Sequence, residues 1–267
     1  MDEMRLDLLL VELGHAQTRS KAQALIKAGN VLVDGNPALK AGQTCTRQQM
    51  IEVVGEYCPY VSRGGLKLEK ALRHFGVDPS GYICSDSGAS TGGFTDCLLQ
   101  KGAKKVYAID VGTDQLVDKI RHDPRVVVME QTNVRYLTPA DMGEELDLSV
   151  VDVSFISLRL VLPAIKQLLK ADRGQVLCLI KPQFEAGKEN LSKKGVVRDA
   201  AIHKQVLDGF LSFAEELGFT VLGLTYSPVR GPEGNIEFLG HLSLEKRESI
   251  AVNTAAIVAA AHENLKV

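Results

Sequence analysis

The decapeptide from Asp86 to Thr95 has the residue types of a ligand-binding turn. It follows the apolar run Tyr82-Ile83-Cys84 and precedes a second apolar stretch, which is typical of a turn from a buried strand into a helix. Glycines in such a turn let the backbone approach a ligand, and the helix end directs free N–H groups at it. The candidate contacts are Asp86, Gly88, Ala89, Ser90, Thr91, Gly92, Gly93, Phe94 and Thr95.

Two phosphate-binding fingerprints fail on this stretch. A P-loop ends in Gly-Lys-Ser/Thr, whereas this turn ends in Gly-Phe-Thr and has no lysine. The spacing of a dinucleotide fingerprint is also absent, and Asp86 places a carboxylate where a pyrophosphate would lie. That carboxylate suits the ammonium and sulfonium groups of S-adenosylmethionine, and Asp110, which ends the next strand-like run, is placed for ribose hydroxyls. We therefore expect a methyl-donor site; an ordinary glycine-rich connection is the alternative.

Three ionisable residues lie at or inside apolar runs, where a charge is costly unless it has a function. Asp152 follows residues 148–151, Lys181 follows residues 176–180, and Glu237 is predicted within the final strand. The ends of parallel strands converge beside the glycine-rich turn in a doubly wound sheet. A lysine takes a proton only in its neutral form, which burial favours and neighbouring carboxylates oppose. Such a group could deprotonate a ribose 2′-hydroxyl in line with a methyl donor; a structural salt bridge is the alternative.

Strand-like runs alternate with helical ones from residue 82 onward. The runs cover residues 82–84, 106–109, 126–129, 148–151, 176–180, 219–224 and 236–244. This alternation predicts a parallel sheet with helices on both faces. The last run is long and follows a turn at residues 231–234, so we expect it to be antiparallel to its neighbour. The predicted fold class is α/β: a Rossmann-like, seven-stranded methyltransferase sheet whose last strand is antiparallel, with a small N-terminal α+β domain.

The first 56 residues form a predicted unit of their own. A helix over residues 6–13 ends at Gly14, and Thr18 caps a second helix that Gly29 ends. A strand at residues 31–33, an Asp-Gly turn and residues 36–39 predict a hairpin, and residues 51–54 predict a further strand. Because the acidic and basic residues roughly balance, charge alone leaves a solvated surface open as an interpretation.

Composition limits the class of protein. The 267 residues are 45% apolar and carry a formal net charge of −2, which is enough for one large and one small domain. The predicted division is 1–56, a linker at 57–65 and a second domain at 66–267. No N-terminal secretion signal is evident, and no apolar stretch reaches the about 20 residues that span a bilayer. The five cysteines are widely spaced, so we expect neither disulfides nor a metal site, and a cytoplasmic protein.

The N-terminal pattern resembles the alpha-L RNA-binding motif named for a small-subunit ribosomal protein. Its anchors are Arg5-Leu6-Asp7, residues 18–22 and residues 26–35. The resemblance implies that basic side chains grip the phosphates of structured RNA and read its shape rather than its bases. The implicated residues are Arg5, Arg19, Lys21 and Lys27, together with Arg63 in the predicted linker.

Motifs along essentially the whole chain resemble the hemolysin-named TlyA family, which pairs this RNA-binding domain with an FtsJ-like methyltransferase domain. The matching segments are 62–68, 86–95, 151–158, 180–185 and 235–238. The resemblance implies 2′-O-methylation of ribosomal RNA, with a ribosomal RNA or subunit as partner and S-adenosylmethionine as cofactor. The implied catalytic tetrad is Lys67, Asp152, Lys181 and Glu237. In it Lys181 would take the hydroxyl proton, Asp152 and Lys67 would position Lys181, and Glu237 would orient the group or the ribose.

The resemblance changes the interpretation of Lys67. By helical spacing alone, Lys67 shares a solvent-facing stripe with Lys70 and His74. The family further implies that Asn133 lies near the adenine and that Asp152 also borders the donor. Some members carry a tryptophan in the linker, whereas residues 57–60 here read Tyr-Cys-Pro-Tyr, so the contacts of the linker stay open.

Two other functions remain open. A non-catalytic RNA-binding or ribosome-assembly factor could retain the fold, although such a factor needs no lysine at the end of a central strand. A pore-forming hemolysin, as the family name suggests, needs a spanning or an amphipathic basic segment, and neither is evident. Calorimetry with S-adenosylmethionine, combined with RNA labelling, separates these functions. The target nucleotide and the oligomeric state stay open.

Overall fold

The computed structural model describes residues 3–16, 18–27, 30–38, 40–53 and 58–265. The chain divides into two compact units, Met1–Tyr57 and Cys58–Val267. Part of the predicted linker therefore belongs to the second unit. Tyr60 is buried in that unit's core and its hydroxyl donates a hydrogen bond to Glu69 Oε1 (2.9 Å), while Gly64 is already the first residue of a helix. Tyr57 lies outside the described residues.

The smaller unit packs two helices against short antiparallel strands. The helices are α1 (Leu6–Glu12) and α2 (Arg19–Lys27), and the strands are β1 (Glu3–Arg5), β2 (Val31–Val33), β3 (Asn36–Pro37), β4 (Thr44–Thr46) and β5 (Ile51–Val53). Strand β1 pairs with β4, and β2 lies between β3 and β5. Sequence reasoning did not predict β1 and β4, because three residues are too few to show an alternating pattern.

Local signals account for the predicted elements of this unit. Thr18 Oγ1 accepts a hydrogen bond from the N–H of Lys21 (3.3 Å) and so caps the start of α2. The turn of the β2–β3 hairpin places Asp34 at φ +51° and Gly35 at φ +77°, the left-handed conformations that a two-residue hairpin turn requires. The predicted boundary residues Gly29, Leu39 and Val54 lie outside the described part of the chain.

The larger unit is a seven-stranded sheet with helices on both faces. Its strands are β6 (Ile83–Ser87), β7 (Lys105–Ile109), β8 (Val126–Met129), β9 (Leu148–Val151), β10 (Gln175–Ile180), β11 (Thr220–Tyr226) and β12 (Phe238–Ser243). Its helices are α3 (Gly64–Phe75), α4 (Gly93–Gln100), α5 (Asp118–Arg121), α6 (Pro139–Met142), α7 (Leu158–Leu168), α8 (Pro182–Glu185), α9 (Ala200–Glu216) and α10 (Thr254–Asn264). Every residue of β9 is buried, as expected for a central parallel strand covered on both faces.

The strand order is β11-β12-β10-β9-β6-β7-β8. From β6 the chain adds β7 and β8 on one side and then β9 and β10 on the other, so the order reverses between β6 and β9. A crevice opens beyond the carboxyl ends of the strands at such a point. The glycine-bearing turn, residues 88–92 between β6 and α4, lies at this edge.

The last strand is antiparallel, as predicted, and it lies inside the sheet between β10 and β11. Its first residue, Phe238, pairs with Ile180, the last residue of β10. Glu237 therefore precedes the strand instead of lying within it, which corrects the sequence prediction. Because β12 runs opposite to β10, its start lies at the same edge of the sheet as the ends of β9 and β10.

Candidate functional site

Four charged side chains meet at this edge of the sheet. Asp152 immediately follows β9, Lys181 immediately follows β10, and Glu237 immediately precedes β12. Lys67 comes from the first turns of α3 and is only 8% exposed. The solvent-facing position that helical spacing alone predicts for Lys67 is therefore wrong, because the face of α3 that carries it packs toward the strand ends.

The four groups form a chain of alternating charge. Lys67 Nζ lies 2.6 Å from Glu237 Oε2 and 3.9 Å from Asp152 Oδ2. Lys181 Nζ lies 2.6 Å from Asp152 Oδ1 and donates a hydrogen bond to Ser154 Oγ at 2.9 Å. Lys181 is 7% exposed and Glu237 is fully buried. Two lysines and two acids thus alternate in a largely buried cluster, where an unpaired charge would be costly.

One carboxylate oxygen of Glu237 accepts no hydrogen bond from the described residues. Its Oε2 accepts from Lys67, whereas its Oε1 is buried and has no hydrogen-bond partner among the described residues. Gly231 lies directly against this carboxylate, and a Cβ at Gly231 would approach Oε1 to 2.1 Å. The glycine therefore leaves space for Glu237 at the strand end, and Oε1 is available to a hydroxyl group that enters the site.

Asp86 lies beneath the glycine-bearing turn instead of bordering open space. Its side chain is fully buried, and Oδ2 accepts hydrogen bonds from the N–H and the hydroxyl of Thr95 at 2.9 and 2.7 Å. Burial raises the pKa of Asp86 to about 7, although the hydrogen bonds from Thr95 act in the opposite direction. Oδ1 is buried without a partner among the described residues. Asp86 thus anchors the start of α4 from below.

Gly88 brings the turn against the end of β9. Its φ is +87°, and a Cβ there would lie 2.5 Å from the carbonyl oxygen of Asp152. Any side chain would therefore force the backbone segments apart and would also be strained in this conformation. Gly92, with φ +95°, closes against Leu116 and Ile120. The structure thus shows a physical need for glycine at two of the positions that the sequence singles out.

Asp110 and Asn133 each accept a hydrogen bond from a nearby backbone N–H group. Asp110 follows β7; its Oδ2 accepts from the N–H of Ser90 (2.8 Å) and its Oδ1 accepts from the N–H of Gly112 (2.7 Å). The side-chain oxygen of Asn133 accepts from the N–H of Arg135 (3.1 Å) and caps a short 3₁₀ turn. Both carboxylate oxygens of Asp110 retain a lone pair for a further donor.

Two cavities open at this edge and share Gly88, Ser90 and Asp152 in their walls. The tetrad cavity, of about 450 Å³, is lined by two of the four charged residues, Lys67 and Asp152, and by Arg63. Lys181 and Glu237 are buried and line neither cavity. The donor cavity, of about 490 Å³, is lined among others by Asp110, Val111, Thr132, Asn133, Phe155 and Ile156. Of the candidate loop residues, the tetrad cavity exposes Gly88, Ala89, Ser90, Thr91, Gly93 and Phe94, whereas Asp86, Gly92 and Thr95 lie behind them.

S-adenosylmethionine fits these walls on the chemistry that they offer. Its adenosine needs acceptors for hydroxyl groups and an apolar slot, which Asp110, Asn133 and Ile156 of the donor cavity provide. Its methionine end needs close backbone approach, which the missing Cβ of Gly88 allows at the junction of the two cavities. Asp86 is fully buried under the turn, and the contact with the donor that the sequence predicts for it stays a prediction.

Phe155 is an exposed aromatic residue that sequence reasoning did not single out. It is 91% exposed, has φ +62° and borders the donor cavity. Its ring centroid lies 5.2 Å from that of Phe184. A bulky residue with positive φ at a cavity mouth is an outlier associated with function. The available signal was a phenylalanine three residues after Asp152, in the connection between a buried strand and the next helix.

The predicted RNA-binding residues of the smaller unit surround a buried carboxylate. Arg5 makes two hydrogen bonds to Asp7 (3.0 and 2.9 Å), and Arg19 Nε donates to Asp7 Oδ2 at 3.0 Å. These donors hold the pKa of Asp7 well below its usual range, with the hydrogen bond from Arg5 the largest cause. About half of each arginine side chain remains exposed. Lys21 is half-buried, and the side chain of Lys27 lies outside what the structure describes.

The described ranges offer neither a membrane span nor a metal cluster. Within them, no helix has both the length and the apolar character to cross a bilayer. The same ranges hold no group of three or more His, Cys, Asp or Glu side chains arranged to bind a metal ion. Each of the five cysteines is a free thiol.

The sheet order and the glycine-bearing turn after its central strand define a Rossmann-like methyltransferase, and the sequence matches the FtsJ-like methyltransferase family over residues 60–244. Residues 4–51 match the S4 domain. With both domains in this order, the chain belongs to the TlyA family of that class. A 16S/23S rRNA (cytidine-2'-O)-methyltransferase TlyA from Mycobacterium tuberculosis (strain ATCC 25618 / H37Rv) is 44% identical over 88% of this chain and 87% of its own.

Two further proteins are similar over nearly the whole chain. A provisionally named rRNA methyltransferase, YqxC, from Bacillus subtilis (strain 168) is 49% identical over 98% of this chain and 95% of its own length. The solved structure of a protein provisionally named a hemolysin, from Streptococcus thermophilus, is 46% identical and has a TM-score of 0.79. It covers 100% of this chain and 98% of its own. Both similarities therefore extend over both domains of this chain.

Proposed function

We propose that this protein transfers a methyl group from S-adenosylmethionine to a ribose 2′-hydroxyl of ribosomal RNA. The observation that carries the proposal is the buried chain of Lys67, Glu237, Asp152 and Lys181 beside the glycine-bearing turn. Membership of the family and the named activity of the Mycobacterium tuberculosis relative support the substrate. The relatives named above are bacterial, and bacterial ribosomal RNA is transcribed and packaged into subunits in the cytoplasm. We therefore assign the protein to that compartment.

The donor supplies an electrophilic methyl group when it is bound. In this proposal Asp110 accepts hydrogen bonds from its ribose hydroxyls, and Asn133 lies beside its adenine. Gly88 lets the backbone approach the junction of the two cavities, where Asp152 borders both. The chain's own contribution would be to align the donor with the ribose hydroxyl and to accept one proton from that hydroxyl.

Lys181 is the proposed base. Its Nζ is held by Asp152 Oδ1 and by Ser154 Oγ, so the amine cannot swing away from the position where a 2′-hydroxyl would enter. In this role a neutral Nζ would take the proton of a ribose 2′-hydroxyl, and Asp152 Oδ1, 2.6 Å away, would stabilise the resulting ammonium. No metal or covalent intermediate is needed for this transfer.

Lys67 and Glu237 act as a positioning pair. Their contact at 2.6 Å fixes Glu237, whose free Oε1 can accept a hydrogen bond from a ribose hydroxyl. Lys67 Nζ also approaches Asp152 Oδ2 at 3.9 Å. It therefore shares the negative charge of Asp152 with Lys181, which limits how strongly Asp152 stabilises the charged form of the base.

RNA recognition is divided in this proposal between the smaller unit and the rim of the tetrad cavity. Arg5, Arg19, Lys21 and Lys27 would contact backbone phosphates, and the exposed Arg63 would do so at the cavity. Phe155 would offer its exposed ring to a base next to the donor cavity. These contacts read shape and backbone, and leave the target position to the fold of the RNA.

Replacement of Lys181 tests the proposal. We expect Lys181→Ala to bind donor and RNA but to lose methyl transfer by at least ~10²-fold, the lower range for a positioned acid–base group. Lys181→Arg should not restore the rate, because a guanidinium stays protonated. The measurement is single-turnover transfer of labelled methyl groups to unmodified 16S and 23S ribosomal RNA transcripts and to subunits reconstituted from them.

Lys204→Ala is the matched control, because Lys204 is an exposed lysine on α9 that pairs with Asp208; its rate should equal wild type. Near-wild-type turnover of Lys181→Arg would contradict the role of Lys181 as base. Lys181 would then contribute only a positive charge and alignment of the substrate. Donor binding by the wild-type protein without any labelled RNA would contradict the enzyme itself and favour a non-catalytic RNA-binding factor.

A further inference from the structure

A third cavity, of about 790 Å³, lies next to the tetrad cavity. Its walls come from residues 196–198, the turn at residues 230–236 and the last helix, and its polar side chains are Arg198, Arg230, Glu233 and His262. Arg230 also lines the tetrad cavity. We call this space the arginine cavity. The arginine cavity and the tetrad cavity therefore adjoin each other at Arg230.

Both arginines of the arginine cavity lack a carboxylate partner within the described part of the chain. Arg198 is exposed and makes no hydrogen bond or ion pair with any residue that the structure describes. Arg230 donates to the carbonyl oxygens of Gly234 and Leu265. Glu233 is the one carboxylate among the lining residues and is itself exposed. Two guanidinium groups against one carboxylate give the lining a net positive charge.

The walls of this cavity are held in place before any ligand arrives. Asn235 Oδ1 accepts from the N–H of Val197 (3.2 Å), and Asn235 Nδ2 donates to the carbonyl of Gly195 (3.2 Å). Val197 and Ile236 are buried beneath the two segments. Asn235 thus joins the loop that carries Arg198 to the turn that precedes Glu237. A ligand that binds here gains affinity because little chain has to be ordered.

We infer that the arginine cavity binds a phosphate of the RNA backbone adjacent to the nucleotide whose ribose reaches the tetrad. Guanidinium groups match the geometry of phosphate oxygens and stay charged at all physiological pH values. Arg230, which borders both cavities, spans the step from the ribose to the neighbouring phosphate. The contact positions the RNA without reading its sequence. This inference rests on the proposed function, because it names a subsite for that substrate.

The test measures how RNA binding by the full chain depends on salt. We compare wild type with Arg198→Gln and with the double variant Arg198→Gln/Arg230→Gln, using unmodified 16S and 23S ribosomal RNA transcripts over a series of KCl concentrations. The slope of log affinity against log salt should become less negative by about 0.7 for each phosphate that is no longer neutralised. Arg198→Gln keeps the test valid if the double variant unfolds, because Arg198 has no polar partner within the described fold.

The matched control is Arg173→Gln/Arg247→Gln. These exposed arginines each pair with a neighbouring acid. Arg173 precedes β10 and Arg247 follows β12, so both lie toward the edge of the sheet opposite the tetrad. The same two charges are therefore removed elsewhere, and the slope should stay that of wild type.

Two results would overturn the subsite. An unchanged slope in both test variants would do so and would leave the proposed function intact. An equal change in the control would also do so, since net charge alone would then explain the effect.

Binding of inorganic phosphate is measured in a separate experiment. If calorimetry detects phosphate binding that Arg198→Gln abolishes while the RNA slopes stay equal, the cavity serves a free anion and the RNA subsite is wrong. Failure of the proposed function looks different, because the wild type itself would then not methylate the transcripts, whatever its affinity for them. The expected result is methylation of the transcripts by the wild-type protein, together with a flatter salt dependence of RNA binding in both test variants.

Discussion

Asp86 shows how burial changes the protonation of a side chain in this protein. Its carboxyl group is enclosed beneath the glycine-bearing turn, and loss of water raises its pKa to about 7 from an ordinary value of 3.8. The folded state therefore holds a proton that the unfolded state releases between about pH 4 and pH 7. The stability contributed by this group is fully present below pH 4 and is lost as the pH rises through 7.

We expect Asp86→Asn to remove this dependence and to keep the anchor, because an asparagine oxygen can still accept from Thr95. A shift of one pKa unit corresponds to about 1.4 kcal/mol, so the wild-type free energy of unfolding should fall relative to the variant by about 4 kcal/mol across this range. Urea denaturation in steps from pH 4 to pH 8 measures the difference. Asp172→Asn, at an exposed acid, is the control, and parallel curves for wild type and Asp86→Asn would contradict the burial effect.

At the scale of elements, one strand end and one turn determine the site. The insertion of β12 between β10 and β11 brings Glu237 beside Lys181, and the turn after β6 touches the end of β9 through Gly88. Because the backbone of Gly88 packs against the backbone of Asp152, a single added Cβ at Gly88 would force the two segments apart. The position of Asp152 between the two cavities depends on it.

Gly88→Ala should therefore weaken donor binding by at least ~10-fold. The new Cβ would meet the carbonyl oxygen of Asp152 at 2.5 Å, and the left-handed backbone adds about 1 kcal/mol of strain. Gly143→Ala separates the two effects, because Gly143 has φ +71° and a Cβ there would have no neighbouring atom within 4 Å. Calorimetry with S-adenosylmethionine and thermal unfolding should show a stability loss in both variants and an affinity loss only in Gly88→Ala. Equal donor affinity in the wild type, Gly88→Ala and Gly143→Ala would show that the glycine-bearing turn does not form part of the donor site.

At the scale of the molecule, two units with separate cores carry separate tasks in our proposal. The larger unit contains the tetrad, donor and arginine cavities, and the smaller one contains the cluster in which Arg5 and Arg19 share Asp7. Because Asp7 cancels one of those two charges, the cluster presents less net positive charge than its arginines suggest. A near-neutral chain with a formal net charge of −2 must therefore bind RNA through local patches.

We expect Arg19→Gln/Lys21→Gln to weaken RNA binding across sequences and to flatten its salt dependence, while donor affinity in the other unit stays unchanged. Glutamine is chosen because its amide can still donate to Asp7 and so preserve the fold. Arg47→Gln is the control within the same unit, since Arg47 is exposed and paired with Glu12. Filter-binding titrations over a KCl series measure the effect, and a slope like that of wild type would remove this surface from the RNA interface.

Much of the architecture follows from local sequence signals. The alternation of apolar runs predicts the seven strands, the glycines of residues 86–95 predict the turn, and Asp152 and Lys181 are recognisable because each ends a buried run. These features depend on a few adjacent residues, whose periodicity and backbone preferences act regardless of the rest of the chain. The resemblance to the family added Lys67, which spacing alone assigns to the surface.

Only the tertiary structure decided which of these groups meet. Lys67 and Glu237 are 170 positions apart, and their contact depends on the insertion of β12 antiparallel to β10, a pairing that no local pattern encodes. The burial of Asp86 beneath the turn and the sharing of Asp7 by Arg5 and Arg19 also depend on packing that the periodicity of apolar residues does not encode. The sequence thus determined the elements and their chemistry, and strand order determined the site.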